Sequence, residues 1–277
     1  MARTKGNQFP SHSFSRRLNS MLRVDARRMF ATPLFWVCLG VSFAIPILVL
    51  VMTGMVGGAA DGLMFTNTWQ IIESSGGGMM AAMGGALSGG DAAAAEAEMD
   101  MTGMMNINLM YFLIGVFLCL FTAEDFRSGY AKNLFTVRAR KTDYVASKTI
   151  IGVIAGALFL LAFFLGGVFG GSVAGLSFDL GDAGIRGLVM CMLAKIFLSA
   201  VFVSIFLLMS VFAKGRSWMS ICLSLFGGML LFMMIPMLTP LNSGVGNVGM
   251  CLVGGAIFAA AIGAVSNAVL KKTSLVG

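Results

Sequence analysis

Six long apolar runs, separated by short polar or glycine-rich stretches, dominate the chain. They cover residues 34–56, 107–123, 149–171, 187–213, 218–235 and 248–270. A helix of roughly 20 apolar residues crosses the hydrocarbon core of a membrane and satisfies its own backbone hydrogen bonds. The polar/apolar alternation of barrel strands is missing. The pattern therefore predicts an all-α integral membrane protein with six transmembrane helices over residues 33–277.

A different pattern precedes the first run. Residues 1–12 are expected to be disordered, and residues 13–32 place Leu18, Met21 and their helical neighbours on one apolar face. Five arginines take the opposite side: Arg16, Arg17, Arg23, Arg27 and Arg28. This segment predicts an interfacial amphipathic helix with its apolar face in the membrane. Asp25 falls within the apolar arc, and Arg28, one turn later, is its expected partner.

Two connecting segments have unusual compositions. Residues 57–105 are rich in glycine, alanine and methionine, so we expect a mobile loop that buries little. Residues 236–247 contain two prolines and no charge, which favours a short re-entrant or interfacial element.

Composition and charge support the membrane assignment and set its orientation. The chain is 58% hydrophobic and only 11% charged, with a mean hydropathy of +0.90, whereas soluble domains are about 25% charged. Seventeen of the 19 basic residues lie in the N-terminal segment, the 124–148 loop, residues 214–217 and the C-terminus. The other loops carry eight acids and one base. By the positive-inside rule, both termini and the 124–148 loop are cytoplasmic and the 57–105 loop is external. The basic residues then contact anionic membrane lipids, and nucleic acid is not an expected partner.

The chain lacks the motifs of common enzymes. It has no P-loop, and its one histidine, His12, lies in the N-terminal segment expected to be disordered. All five cysteines fall in apolar runs without a metal-binding spacing, so no metal site is predicted there. The methionines of residues 79–105 leave Cu(I) binding open as an alternative. The chain is therefore not expected to be an enzyme by itself.

Lys195 is the clearest charge inside an apolar run. Two interpretations stay open for it. The side chain either snorkels toward the membrane surface or lines a substrate path and attracts an anionic group.

The stretch "AEDFRSGYAKNLFTVRARKTDYVASK", residues 123–148, carries six basic residues and three acids. Phe126, Tyr130, Leu134 and Val137 recur near helical spacing, which predicts a short amphipathic helix over residues 126–136. Together with "DARRMFATPLFW", this stretch resembles ABC-2 type transporter permeases. The matching positions are Glu124, 126–129, 132–134, 138–141, Tyr144 and Lys148, while Tyr130 stands where that family usually has threonine.

The resemblance implies an ABC-2, type V exporter-like architecture in a bacterial cell membrane. It also implies a second permease subunit, in a homo- or heterodimer, and a separate ABC ATPase subunit that holds ATP and Mg, with no cofactor in this chain. The residues implied in ATPase coupling are Glu124, Phe126, Arg127, Gly129, Lys132 and Leu134. Glu124 is expected to pair with a basic residue of the 16–28 segment, and Asp25, Arg27 and Arg28 belong to the interfacial helix.

The expected function is ATP-driven export of an amphiphilic peptide, a lipid-like molecule or a drug by alternating access. Import or flipping of lipid-linked material is the alternative within transport. A membrane immunity or sensor protein that binds a toxic peptide at its outer surface is the alternative outside transport, and a copper-handling protein is a third class.

Overall fold

The structure, a computed structural model, describes residues 14–57, 68–69, 107–137, 141–180, 184–213, 216–232, 238–240 and 243–272. Its α-helices are α1 Phe14–Ala31, α2 Pro33–Gly57, α3 Met110–Arg127, α4 Tyr130–Val137, α5 Lys141–Ala174, α6 Gly184–Phe212, α7 Ser217–Phe232 and α8 Val245–Lys272. A 3-10 turn, Ile107–Leu109, leads into α3. The predicted disordered residues 1–12 and nearly all of the 57–105 loop lie outside the described residues.

Among the residues that the structure describes, four helices are long and apolar enough to cross a membrane. These segments are Pro33–Met52, Lys141–Ala174, Gly184–Phe212 and Val245–Leu270. The other two predicted spans correspond to α3 and α7, of 18 and 16 residues, and α3 ends in the charged sequence Glu124, Asp125, Phe126, Arg127. The multi-pass helical membrane architecture is confirmed, while the count of six spans stays a prediction.

Glycines in α5 let α2 approach it closely. A Cβ at Gly170 would lie 2.7 Å from Ile47 Cα, and one at Gly166 would collide with the carbonyl oxygen of Phe43. Small residues allow this backbone contact between membrane helices. Because Gly166 lies beside Phe43 and Gly170 beside Ile47, residue numbers increase in the same direction in both helices, so α2 and α5 run parallel.

The contact between α5 and α6 has the opposite sense. A Cβ at Gly152 would lie 2.7 Å from Val203 Cγ1, and one at Gly156 would lie 3.4 Å from Ser199 Oγ. These helices are therefore antiparallel. The starts of α2 and α5 and the end of α6 consequently gather at one end of the bundle, together with α1 and α4. We call it the basic end, because the basic loops of the sequence lie there.

Aromatic side chains fill the centre of the bundle. Phe117 of α3 meets Phe159 of α5 edge-on at 5.5 Å between ring centroids, and Tyr111 stacks on Phe202 of α6 at 4.6 Å. Such pairs add about 0.5–1.5 kcal/mol each beyond the area they bury. The packed centre fixes α3, α5 and α6 relative to one another.

A described part of the 57–105 loop corrects the expectation that this loop buries little. Thr68 and Trp69 are buried, and the Trp69 ring packs near Phe164 and Phe178 at 6.3 and 6.1 Å between centroids. The backbone N–H of Thr68 donates to the carbonyl of Ser177 at 2.9 Å. A tryptophan side chain has a large apolar surface, and the prediction from the glycine-rich composition of the loop did not take it into account.

Part of the apolar arc of α1 packs on protein rather than facing outward. Met21 and Met29 are buried inside the protein, whereas Phe14, Arg16, Arg23 and Arg27 are exposed. Met21 and Met29 therefore do not enter lipid as predicted, while the interfacial position of the helix as a whole stays a prediction. The physical reason is that α5 begins at Lys141 rather than at residue 149 and gives the arc a protein surface to cover.

Candidate functional site

The predicted helix over residues 126–136 is two pieces. Phe126 and Arg127 form the last turn of α3, and α4 begins at Tyr130. Gly129, between them, has φ of +73°, a left-handed conformation that costs other residues roughly 1–2 kcal/mol. Its carbonyl accepts a hydrogen bond from Asn133 N at 3.0 Å, which starts α4. Gly129 therefore makes the corner between the two helices.

The side chains at this corner divide into an inward and an outward set. Glu124, Arg127 and Lys132 are exposed. Phe126 and Leu134 are half-buried and pack against the main apolar core. These two residues were predicted to lie within the helix that docks the ATPase, but the protein's own core already covers much of them. The outward surface of the corner is polar.

Asp25 of α1 is fully buried and binds the start of α5. Its Oδ2 accepts a hydrogen bond from Ser147 Oγ at 2.6 Å, and its Oδ1 accepts one from Lys148 Nζ at 3.0 Å. The predicted partner, Arg28, lies farther away, with 4.0 Å between Nη1 and Oδ1. The main partners of Asp25 thus come from α5 rather than from its own helix.

Asp125 at the end of α3 completes the arrangement. Its Oδ2 lies 2.6 Å from Lys148 Nζ and accepts a hydrogen bond from Tyr144 Oη at 3.0 Å. Its Oδ1 lies 2.6 Å from Arg28 Nη1. Asp25, Arg28, Asp125 and Lys148, which we call the ion cluster, therefore join α1, α3 and α5. The charges of its two acidic and two basic side chains cancel.

Glu124 does not have the predicted role. It is exposed and forms no ion pair within the described residues, so its expected pairing with the 16–28 segment is wrong. The next residue, Asp125, makes that contact. The sequence held a signal for this: Asp125 follows the buried Leu118 and Phe121 by seven and four residues, so it shares their inward face of α3.

Aromatic rings line the ion cluster. Lys148 Nζ lies 4.1 Å from the centroid of Phe121, and Arg28 Cζ lies 4.2 Å from that of Tyr130. Cation–π contacts of this kind contribute about 0.5–2 kcal/mol. Burial raises the pKa of the Tyr130 phenol. Burial is the largest single effect on Arg28 and lowers its pKa, but the charge and hydrogen bond of Asp125 together with Asp25 and Tyr130 outweigh it, and the net pKa is raised. Arg28 therefore stays charged and Tyr130 neutral at physiological pH.

A second ion pair reinforces the contact between α1 and α5. Arg17 Nε donates to Asp143 Oδ2 at 2.9 Å, and the Asp143 side chain is almost fully buried. Of the arginines predicted to face water, Arg17 and Arg28 thus turn toward the protein.

Lys195 lies far from the ion cluster, in the half of α6 that is distant from the basic end. It is 2% exposed, and its Nζ donates to Thr239 Oγ1 at 3.0 Å. The ammonium is therefore buried and does not snorkel to a surface in this conformation. In the part of the chain that the structure describes, no group of three or more His, Cys, Asp or Glu residues is placed to hold a metal ion.

Comparison with known proteins gave one finding. A family model described as ABC-2 family transporter protein matches residues 31–231. Searches of curated proteins and of solved structures found no match. The matched region contains α2 to most of α7, including the corner at Gly129 and two of the four residues of the ion cluster.

Proposed function

Because this chain belongs to the ABC-2 transporter family, we propose that it is the permease subunit of an ATP-driven exporter and that its basic end is cytoplasmic. The observation that carries this proposal is the ion cluster beneath the corner between α3 and α4. Buried charges joined across three helices define one geometry. A displacement of the corner then moves α1 and α5 as well, instead of deforming the corner alone.

The proposed ATPase-binding surface is the polar face of this corner. Arg127, Ser128 and Lys132 are exposed there. Phe126 and Leu134 support the corner from below, since they pack against the core. Charged groups at such a rim mainly guide the partner and fix its register. A second permease subunit is part of the proposal, because the family resemblance implies one.

The ATPase surface is tested by coexpression of the tagged chain with the ABC ATPase subunits of its source genome. Charge reversal of both Arg127 and Lys132 to Glu should reduce ATPase capture by about tenfold or more, because like charges placed opposite each other cost several kcal/mol. Arg186→Glu, which reverses an exposed arginine at the far end of the bundle, is the matched control and should leave capture unchanged. Capture of no ATPase by the unaltered chain would favour the immunity or sensor alternative.

Orientation is tested separately. Ser128→Cys and Ser177→Cys place exposed thiols at opposite ends of the bundle, in a background without the native cysteines. An impermeant maleimide added to intact cells should label the second and not the first. Labelling of the first alone would reverse the proposed topology.

A further inference from the structure

The contacts around Lys195 form a polar site that the proposed coupling surface does not use. Lys195 lies 11 residues after the start of α6, roughly 16 Å along the helix at 1.5 Å per residue. An ionisable side chain buried at membrane depth is costly and commonly marks a functional site. Its ammonium has three donors, and one of them holds Thr239.

Residues 238–240, which we call the strap, connect α7 to α8. Side chains from α6 and α8 fasten it. Lys195 Nζ donates to Thr239 Oγ1 at 3.0 Å, Cys191 Sγ to the Thr239 carbonyl at 3.6 Å, and Cys251 Sγ to the Leu238 carbonyl at 3.9 Å. Thr239 is fully buried, and the two cysteines are 1% and 4% exposed. The strap therefore covers both thiols.

The core holds the same site from the other side. Tyr111 of α3 donates its hydroxyl to the carbonyl of Lys195 at 2.8 Å, and its ring stacks on Phe202. The backbone at Lys195 is thus fixed by the packed aromatic centre. The contact between its ammonium and the strap uses a flexible side chain on one side and a short connecting segment on the other, so it is the contact that can exchange.

A hydroxyl is a neutral acceptor for the ammonium. A phosphate or carboxylate oxygen is an ionised one, so the attraction between opposite charges is added to the hydrogen bond. An anion that reaches Lys195 therefore competes effectively with Thr239. Release of Thr239 removes a contact that is stronger than the two thiol contacts, since thiols are weak donors.

We propose that Lys195 binds the anionic headgroup of an amphiphilic cargo, and that this group replaces the Thr239 hydroxyl and releases the strap. That the bound molecule is a transported cargo rests on the proposed transport function. The binding step itself belongs to this chain alone and needs no ATPase.

The native thiols under the strap report its release. In a background with Cys38, Cys119 and Cys222 replaced by alanine, the alkylation rates of Cys191 and Cys251 are measured in liposomes. Lysophosphatidic acid should accelerate alkylation by about tenfold, equivalent to ~1.4 kcal/mol. Monooleoylglycerol, which has the same chain without the phosphate, should not. Inorganic phosphate alone should have little effect if the lipid chain is required, and an equal acceleration by phosphate would identify a free-anion site instead of an amphiphile site.

Two variants separate binding from folding. Thr239→Val removes the hydroxyl and should raise the basal alkylation rate without lipid. Lys195→Met should also raise the basal rate and should abolish the response to lysophosphatidic acid. Thr122→Val, at a buried threonine near the other end of α3, is the control and should behave as the parent.

An equal response to the two lipids, or a full response in Lys195→Met, would overturn the proposal. If lysophosphatidic acid acts as expected but no ATPase is captured in the coexpression experiment, the binding site stands and the transport function fails.

Discussion

Replacement of Lys148 by Met tests whether the ion cluster holds the basic end together. The substitution keeps most of the apolar stem and removes an ammonium that lies 3.0 Å from Asp25 Oδ1 and 2.6 Å from Asp125 Oδ2. The cluster then changes from neutral to a net charge of −1. Arg28 stays close to Asp125, at 2.6 Å, but remains 4.0 Å from Asp25. Asp25 therefore becomes a buried carboxylate without a close cation among its described contacts.

Removal of one member of a buried ion pair typically costs about 3–5 kcal/mol. At about 2–4 °C per kcal/mol for a chain of this size, the melting temperature should fall by roughly 6–20 °C. The measurement is thermal unfolding of the purified chain in detergent. Lys132→Met removes an exposed lysine and should change stability by no more than about 0.5 kcal/mol.

The double variant Asp25→Asn, Lys148→Met decides whether charge is the cause. It leaves the close Arg28–Asp125 pair balanced, and the amide oxygen introduced at position 25 can still accept from Ser147. The double variant should therefore be more stable than Lys148→Met alone, which is a coupling that only interacting residues show. Additive losses in the double variant, or a Lys148→Met loss as small as that of Lys132→Met, would refute the energetic role of the ion cluster.

Two further substitutions test the corner. Gly129→Ala places a side chain at φ of +73° and should cost roughly 1–2 kcal/mol and weaken ATPase capture. Gly175→Ala, at φ of +68° just after α5, should cost the same stability in a thermal scan but leave capture intact. Tyr130→Phe should keep the ring contact with Arg28, whereas Tyr130→Thr should lose about 0.5–2 kcal/mol in the same scan, and equal stability of the two would show that the ring contributes nothing.

The apolar runs were readable from the sequence because they depend on local composition, whereas the corner at Gly129 was not. Runs of apolar residues predict membrane helices wherever the chain places them. The corner lies at the predicted loop, although Gly129 divides the predicted helix. A single left-handed glycine inside an otherwise regular helical stripe does not disturb the periodicity on which the prediction relied.

The partners of the charged residues were not readable in the same way. Glu124 and Asp125 are adjacent and chemically alike, and only the inward face of α3 distinguishes them. Lys148 was noted as part of the resemblance, but it was placed in the loop before a span starting at residue 149, whereas the helix α5 already begins at Lys141. That shift brings Lys148 beside Asp25, 123 residues away in sequence. Long-range pairing of this kind depends on how helices pack against each other, and the periodicity of one helix does not predict that packing.

The placement of Arg28 suggests how movement at the corner reaches the rest of the protein. Its guanidinium contacts Tyr130 of α4 on one side and Asp125 of α3 on the other, while its own helix is bound to α5 through Asp25. A displacement of α4 must therefore either break the Tyr130 contact or carry α1 with it. The cation–π contact of Tyr130 contributes less free energy than the buried ion pairs, so it is the contact expected to break first. Tyr130→Thr should for this reason uncouple ATP hydrolysis from transport at a smaller stability loss than Lys148→Met. If the Tyr130→Thr protein couples ATP hydrolysis to transport normally, movement of α4 does not reach α1 through Arg28.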